Sequence, residues 1–198
     1  MDSLVETARF AVVDVETSGL SVRRDHVLQV GVVLLDEEFS VIHRWSSLVG
    51  PRLRWWFRVG PKRIHGLRRR DIRSAPGGAE VLRSLAALTT GATIVAHNAA
   101  FDTAFLSKAA RRYGVELPLT SPLCTLTISR KLDPQRQLSH RLGDLCTRYD
   151  VPLVRAHDAL SDAEATAGIL PHLLRAQQAA RAQALVDPGS GPDQPPTS

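Results

Sequence analysis

The stretch Phe10-Ala11-Val12-Val13-Asp14-Val15-Glu16-Thr17-Ser18-Gly19-Leu20 constrains this chain more than any other. Its β-branched and aromatic residues read as a buried strand. Residues two apart on a strand share a face, so Asp14 and Glu16 project together from its end. Ser18-Gly19 then turns the chain away. Two carboxylates held this close repel each other. They are stable side by side when one is protonated or when a cation sits between them. A metal site at this strand end needs further oxygen donors from elsewhere in the chain.

The chain has 198 residues, 43% of them hydrophobic and 23% charged, enough for one domain with its own core. No apolar run reaches the roughly 20 residues of a membrane span. The acidic start Met1-Asp2-Ser3-Leu4-Val5-Glu6 lacks the pattern of a signal peptide, so a cytoplasmic location is expected. Cys124 and Cys146 have neither metal-ligand spacing nor the number of a disulfide framework, and both are expected as buried thiols. The net charge is +5 and the pI about 9.9. Nine basic residues lie between Arg52 and Arg73, against one acid, Asp71. Trp55, Trp56 and Phe57 fall inside that stretch. Cations with interleaved rings suit a single-stranded nucleic acid. A solvated loop with inward-packed tryptophans fits the same residues, so the role of Trp55, Trp56 and the Arg52–Arg73 segment stays open.

Strands are expected over 10–15, 26–35 and 39–48, with Asp36-Glu37-Glu38 as a turn. The connections are too short for crossovers, so these three strands form an antiparallel meander. A helix is expected over 79–88, a short buried strand over 93–96, and helices over 101–113, 123–132 and 142–149. A last long helix runs from Asp158 to about Leu185, with Pro171 as a kink or break. Residues 1–186 form the domain; the tail 187–198 has no apolar residue beyond proline and one threonine methyl, and is expected to be disordered. The pattern is that of an α/β domain with a mixed sheet.

Two further segments carry acids in telling places. Val95-Ala96-His97-Asn98-Ala99-Ala100-Phe101-Asp102 reads as a strand, a turn and an acid in the first turn of a helix. Alone, Asp102 is explained by the helix dipole. In His157-Asp158-Ala159-Leu160-Ser161-Asp162, Asp158 could cap the last helix. Asp162 lies a turn inside it, among alanines suited to a packed face, where an acid is costly without a cation. Oxygen-only donors favour Mg²⁺ or Mn²⁺ over Zn²⁺. Two such ions about 3.5–4 Å apart could hold a scissile phosphate. A histidine, with an ordinary pKa of about 6.5, could take a proton from water. His157 is the candidate.

The segments D-V-E-T-S-G-L, H-N-A-A-F-D and H-D-A-L-S-D, in this order, resemble the three motifs of the DEDDh superfamily of 3′–5′ exonucleases, and Ile64-His65-Gly66-Leu67 resembles a segment such domains carry between the first two. The resemblance covers about residues 9–175 and is nearest to proofreading epsilon-type domains and their free-standing homologues. It implies an RNase H-like fold and two divalent ions, Mg²⁺ or Mn²⁺. It implies Asp14, Glu16, Asp102 and Asp162 as metal-holding residues and His157 as general base. Thr17, Leu20 and His65 match positions that contact the terminal nucleotide, and Asn98 matches one near the site. Gln29 stands where an acid is common. The implied partner is single-stranded nucleic acid, DNA in preference to RNA, and no segment reads as a polymerase-binding extension.

Three other readings compete. An RNA-trimming exoribonuclease would use the same five residues. A non-catalytic nucleic-acid-binding module predicts loss of an acid or of the histidine, and all five are present. A phosphatase built on a D-x-D-x-T motif needs a second aspartate where Glu16 stands.

Overall fold

The computed structural model describes residues 7–51 and 58–186. The Arg52–Phe57 part of the basic stretch, with its two tryptophans, and the expected disordered tail lie outside the described residues.

The chain begins with β1 (Phe10–Thr17), β2 (Val27–Leu35) and β3 (Val41–Leu48). β1 pairs antiparallel with β2, and β2 with β3, as the short connections demand. The β2–β3 turn closes on Asp36, whose Oδ1 accepts from Glu38 N and Ser40 N, with Phe39 in the left-handed region. Two one-turn helices follow, α1 (Lys62–His65) and α2 (Arg69–Arg73), in the stretch where sequence periodicity gave no assignment. Then come α3 (Gly78–Thr89), β4 (Thr93–Ala96), α4 (Ala99–Tyr113) and β5 (Leu123–Cys124). The chain continues as α5 (Thr125–Leu132), α6 (Leu142–Tyr149) and α7 (Ala159–Val186). The sheet order is β3-β2-β1-β4-β5, with β4 parallel to β1 and β5 parallel to β4.

β1 is thus central, with hairpin neighbours on one side and crossover neighbours on the other. Its two faces bury different helices. Ala11, Val13 and Val15 pack with Val81, Leu82, Leu85, Phe105 and Leu106 of α3 and α4. Val12 packs on the other face with Ala163, Ala167 and Leu170 of α7. Alternation along β1 therefore puts Asp14 and Glu16 on the α7 face. Helix α7 comes very close to the sheet: a Cβ at Gly31, the partner of Asp14 on β2, would lie 2.3 Å from the backbone of Ala159.

Three expectations are corrected. Leu123–Leu132 is not one helix; its first two residues pair with Val95 and Ala96, and the helix starts at Thr125. The break allowed for at Pro171 is absent: α7 continues through it as one helix, held on both sides by the buried Leu170 and Leu173. Cys124 is only half-buried, whereas Cys146 is buried as expected. Among the described residues, no helix is long and apolar enough to cross a membrane.

Candidate active site

β1 outruns β4. The parallel pairing stops at Val12 with Val95, so the N–H of Val15 has no sheet partner on that side. Asp102, in the first turn of α4, takes it: Val15 N donates to Asp102 Oδ1 at 3.2 Å. The turn between β4 and α4 makes this possible through Asn98, which sits in the left-handed region (φ 86°, ψ 49°). The carboxylate is buried, and it meets Asp14 and Glu16 across the end of the sheet.

The fourth acid arrives from the far end of the chain. Asp158 caps α7, its Oδ1 accepting from Ser161 N at 3.2 Å. One turn later Asp162 accepts from His157 N at 3.1 Å through Oδ2. Its Oδ1 is buried with no hydrogen-bond partner. His157 holds a φ of 65°, which turns the loop so that its ring rejoins the cluster. One ligand atom each from Glu16, His157 and Asp162 lies within 4.8 Å of the others.

The electrostatics record the crowding. Burial, with the charges of Asp162, Asp158 and Asp102 added, pushes Glu16 up to about 7. Burial also raises Asp102 to about 7, against the hydrogen bonds of its own and the Val15 N–H. Asp14 is raised well above the ordinary carboxylate range by burial, then by Asp102, Asp162 and Glu16. Asp162 is raised by burial and held back by His157. A buried carboxylate oxygen without a donor, inside a group of acids that resist ionisation, fits a divalent cation bound by oxygen.

The remaining expected residues surround this cage. Thr17 Oγ1 donates to Gly19 O at 2.7 Å and so shapes the turn that leaves Leu20 86% exposed. His65 is buried. Its Nδ1 accepts from Leu67 N and its Nε2 lies 2.9 Å from Val59 O, so both ring nitrogens pin the loop. The neighbouring Ile64 is the side chain that reaches solvent. A Cβ at Gly60 would meet Ser18 O at 2.1 Å, so this loop abuts the Ser18–Leu20 turn. Asn98 is exposed beside the cage.

Two participants were not found by motif reading. Asp158 is near enough to raise Glu16 and Asp14, yet in sequence it reads only as a cap. Gln29 pairs with Glu16 across β1–β2, and its amide reaches Asp158 Oδ2 (3.4 Å) and Ser46 Oγ (3.2 Å). Its position, where an acid is common, was the available signal.

Four acids from a central strand, a helix start and a last helix, two of them buried and two half-buried, gathered at one end of an RNase H-like sheet, define the class of metal-dependent nucleases. Residues 11–170 match the family model RNase_T, described as Exonuclease, and the chain belongs to that exonuclease family. It is similar to the PolC-type DNA polymerase III of Caldanaerobacter subterraneus (31% identical over 169 residues) and of Bacillus subtilis (30% over 173). These matches cover 85% and 87% of this chain but 12% of each relative. Among solved structures it resembles E. coli exonuclease I in a zinc-bound complex with single-stranded DNA (TM-score 0.74, 20% identity, 91% of this chain and 43% of that one). It also resembles exonuclease X with 5′ overhanging duplex DNA (TM-score 0.66, 21% identity, 85% and 93%).

Proposed function

We propose that the chain hydrolyses the last phosphodiester at the 3′ end of a single strand, DNA in preference to RNA, and releases nucleoside 5′-monophosphates. The observation that carries this reading is the convergence of Glu16, His157 and Asp162 on one point, with Asp162 Oδ1 buried and unpartnered. Asp14, Glu16, Asp102 and Asp162 would hold two divalent cations, Mg²⁺ or Mn²⁺, which supply charge neutralisation and Lewis acidity at the scissile phosphate. The preference for DNA draws on the polymerase relatives and on the DNA named in the structural neighbours.

The protein's own groups divide the work. His157 is exposed, on a loop tied to Asp162 by its backbone N–H, and its ring takes the proton of the attacking water. The hydrogen bond from Val15 N fixes Asp102 without spending a side chain. Thr17 holds the turn that presents Leu20, and Leu20 with Ile64 forms an apolar shelf for the terminal base. His65 acts by holding that shelf in place, and Asn98 by setting the turn into α4.

A 5′-labelled single-stranded DNA and an RNA of the same sequence test this side by side. With Mg²⁺ or Mn²⁺ the DNA is expected to shorten stepwise, faster than the RNA, and EDTA is expected to stop it. Asp14→Ala is expected to abolish turnover. Shortening that survives Asp14→Ala sinks the mechanism; faster loss of RNA reassigns the substrate.

A further inference from the structure

The segment from Val15 to Asp25 carries Thr17 and Leu20, and one helix holds both of its ends. Near the start, Val15 N donates to Asp102 Oδ1 at 3.2 Å. At the far end, Lys108 Nζ donates to Asp25 O at 2.7 Å and to Arg23 O at 3.2 Å. Asp102 and Lys108 both belong to α4 and lie about 9 Å apart along its axis.

Between these anchors the turn is tied through one carboxylate. Asp25 Oδ2 accepts from Ser21 N at 2.9 Å, and Oδ1 accepts from Ser18 Oγ at 3.3 Å. Ser18 Oγ accepts in turn from His26 N at 3.0 Å. Arg24 N and Asp25 N both donate to Ser21 O, at 3.0 and 2.8 Å. A Cβ at Gly19 would lie 2.6 Å from Asp25 Oδ2, so the carboxylate sits directly against the turn. Val22 packs against the core that Phe105 and Leu106 of α4 help to form. Next to Asp25, His26 and Lys108, however, lies a cavity of about 50 Å³, so hydrogen bonds more than packing hold this end of the loop. The side chain they keep out in water is Leu20.

A base seated on Leu20 can place a phosphate in the cage only if Leu20 keeps a fixed distance from the acids. Misplacement by about 1 Å is enough to slow a reaction severely. We propose that Asp25 and Lys108 are positioning residues for the 3′-terminal nucleotide. Together with the Val15–Asp102 bond they fasten the turn to α4, so that Leu20 stands at a set distance from Asp102. The terminal base on Leu20 then brings the last phosphodiester, and not the next one, to the metal-holding acids. Neither residue touches the reacting atoms. This rests on the exonuclease reading above and adds to it how the end of the strand is measured.

The test uses two single strands, one ending in an ordinary 3′ nucleotide and one in a 3′ tetrahydrofuran residue that lacks the base. In Mg²⁺, Lys108→Met is expected to lower kcat/KM on the ordinary end about tenfold, mostly in kcat. On the baseless end the same substitution is expected to cost less than about twofold, because no base is there to be placed. Asp25→Asn, which keeps one acceptor oxygen, is expected to show the same pattern more weakly. Equal losses on both ends mean a general loss of folded enzyme and overturn the proposal; so does no loss on either. Binding in EDTA supplies a readout without turnover. With 2-aminopurine as the 3′-terminal base, fluorescence at saturation is expected to rise with the parent, as the base leaves its neighbour for Leu20, and to rise about twofold less with Lys108→Met. No rise with the parent, or an equal rise with both, also overturns the proposal. A parent protein that shortens neither strand would overturn the exonuclease reading instead, and the fluorescence comparison would still decide the role of Lys108.

Discussion

Burial, with neighbouring carboxylates added at Glu16, pushes both Glu16 and Asp102 up to about 7. A carboxyl whose pKa is raised in the folded protein stabilises the fold fully below its unfolded value, about 4. That stability is lost as pH rises through about 7. In EDTA, Tm is therefore expected to fall between about pH 5 and about pH 8. Cations that bind the ionised acids reverse this, so Mn²⁺ is expected to raise Tm more at the higher pH. Thermal scans with and without the metal check both; a flat profile in EDTA would contradict the shifts. Glu16→Gln removes one of the repelling charges. It is expected to raise Tm in EDTA near pH 8, by about 2–4 °C for each kcal/mol relieved, while turnover is lost. The sequence singles out Asp14, Glu16, Asp102, His157 and Asp162 as candidates, by their places at a strand end and at helix starts and by motif resemblance, and the structure brings ligand atoms of Glu16, His157 and Asp162 within 4.8 Å of one another. The sequence was silent on the partnerless Asp162 Oδ1 and on the internal use of both His65 nitrogens, because these depend on chain segments distant in sequence.

Between elements, the joint that matters is α7 on β2. Gln29 reaches Asp158 Oδ2, and its Oε1 lies 3.5 Å from Ala159 N, so one side chain ties the start of α7 beside Glu16. Gln29→Glu sets a like charge against Asp158 and is expected to cut kcat about tenfold with KM little changed. Adding Asp158→Asn restores an amide–carboxylate pair in the opposite sense and keeps a good cap, so most of kcat is expected to return. Failure of the double variant to recover would leave Gln29 as ordinary packing. Gly31→Ala pushes a methyl into the Ala159 backbone and is expected to cost about 1–3 kcal/mol, read by chemical denaturation. Elements of this kind were unevenly legible. The meander and α4 follow from apolar period and turn residues. β5 does not, since two strand residues run directly into a helix of similar composition. Nor does the continuity at Pro171, which depends on the packing of Leu170 and Leu173 on either side of it.

Over the whole molecule, the length of α7 separates two jobs. Its 28 residues run about 42 Å. The first half is bound to the sheet and to α5 and α6 through Ala165, Ile169 and Leu173. Residues 178–185 are exposed. A chain stopped after Gln178 is expected to keep its Tm within about 2 °C and its nuclease rate. A larger loss would mean that the outer turns carry load. The fold class was legible because short connections force the antiparallel meander. The parallel placement of β4 and β5 beside β1 was not, since it joins segments distant in sequence.

The cage is divided between the two ends of the described chain: Asp14 and Glu16 come first, and Asp162 with His157 come last. During synthesis the early strands, and even α4 with Asp102, can form while the last helix is still being made. A growing chain then holds three of the four acids, without the histidine. On the proposed mechanism hydrolytic power arrives only when α7 docks, so the packing of one helix on the sheet separates an inert fold from a complete site.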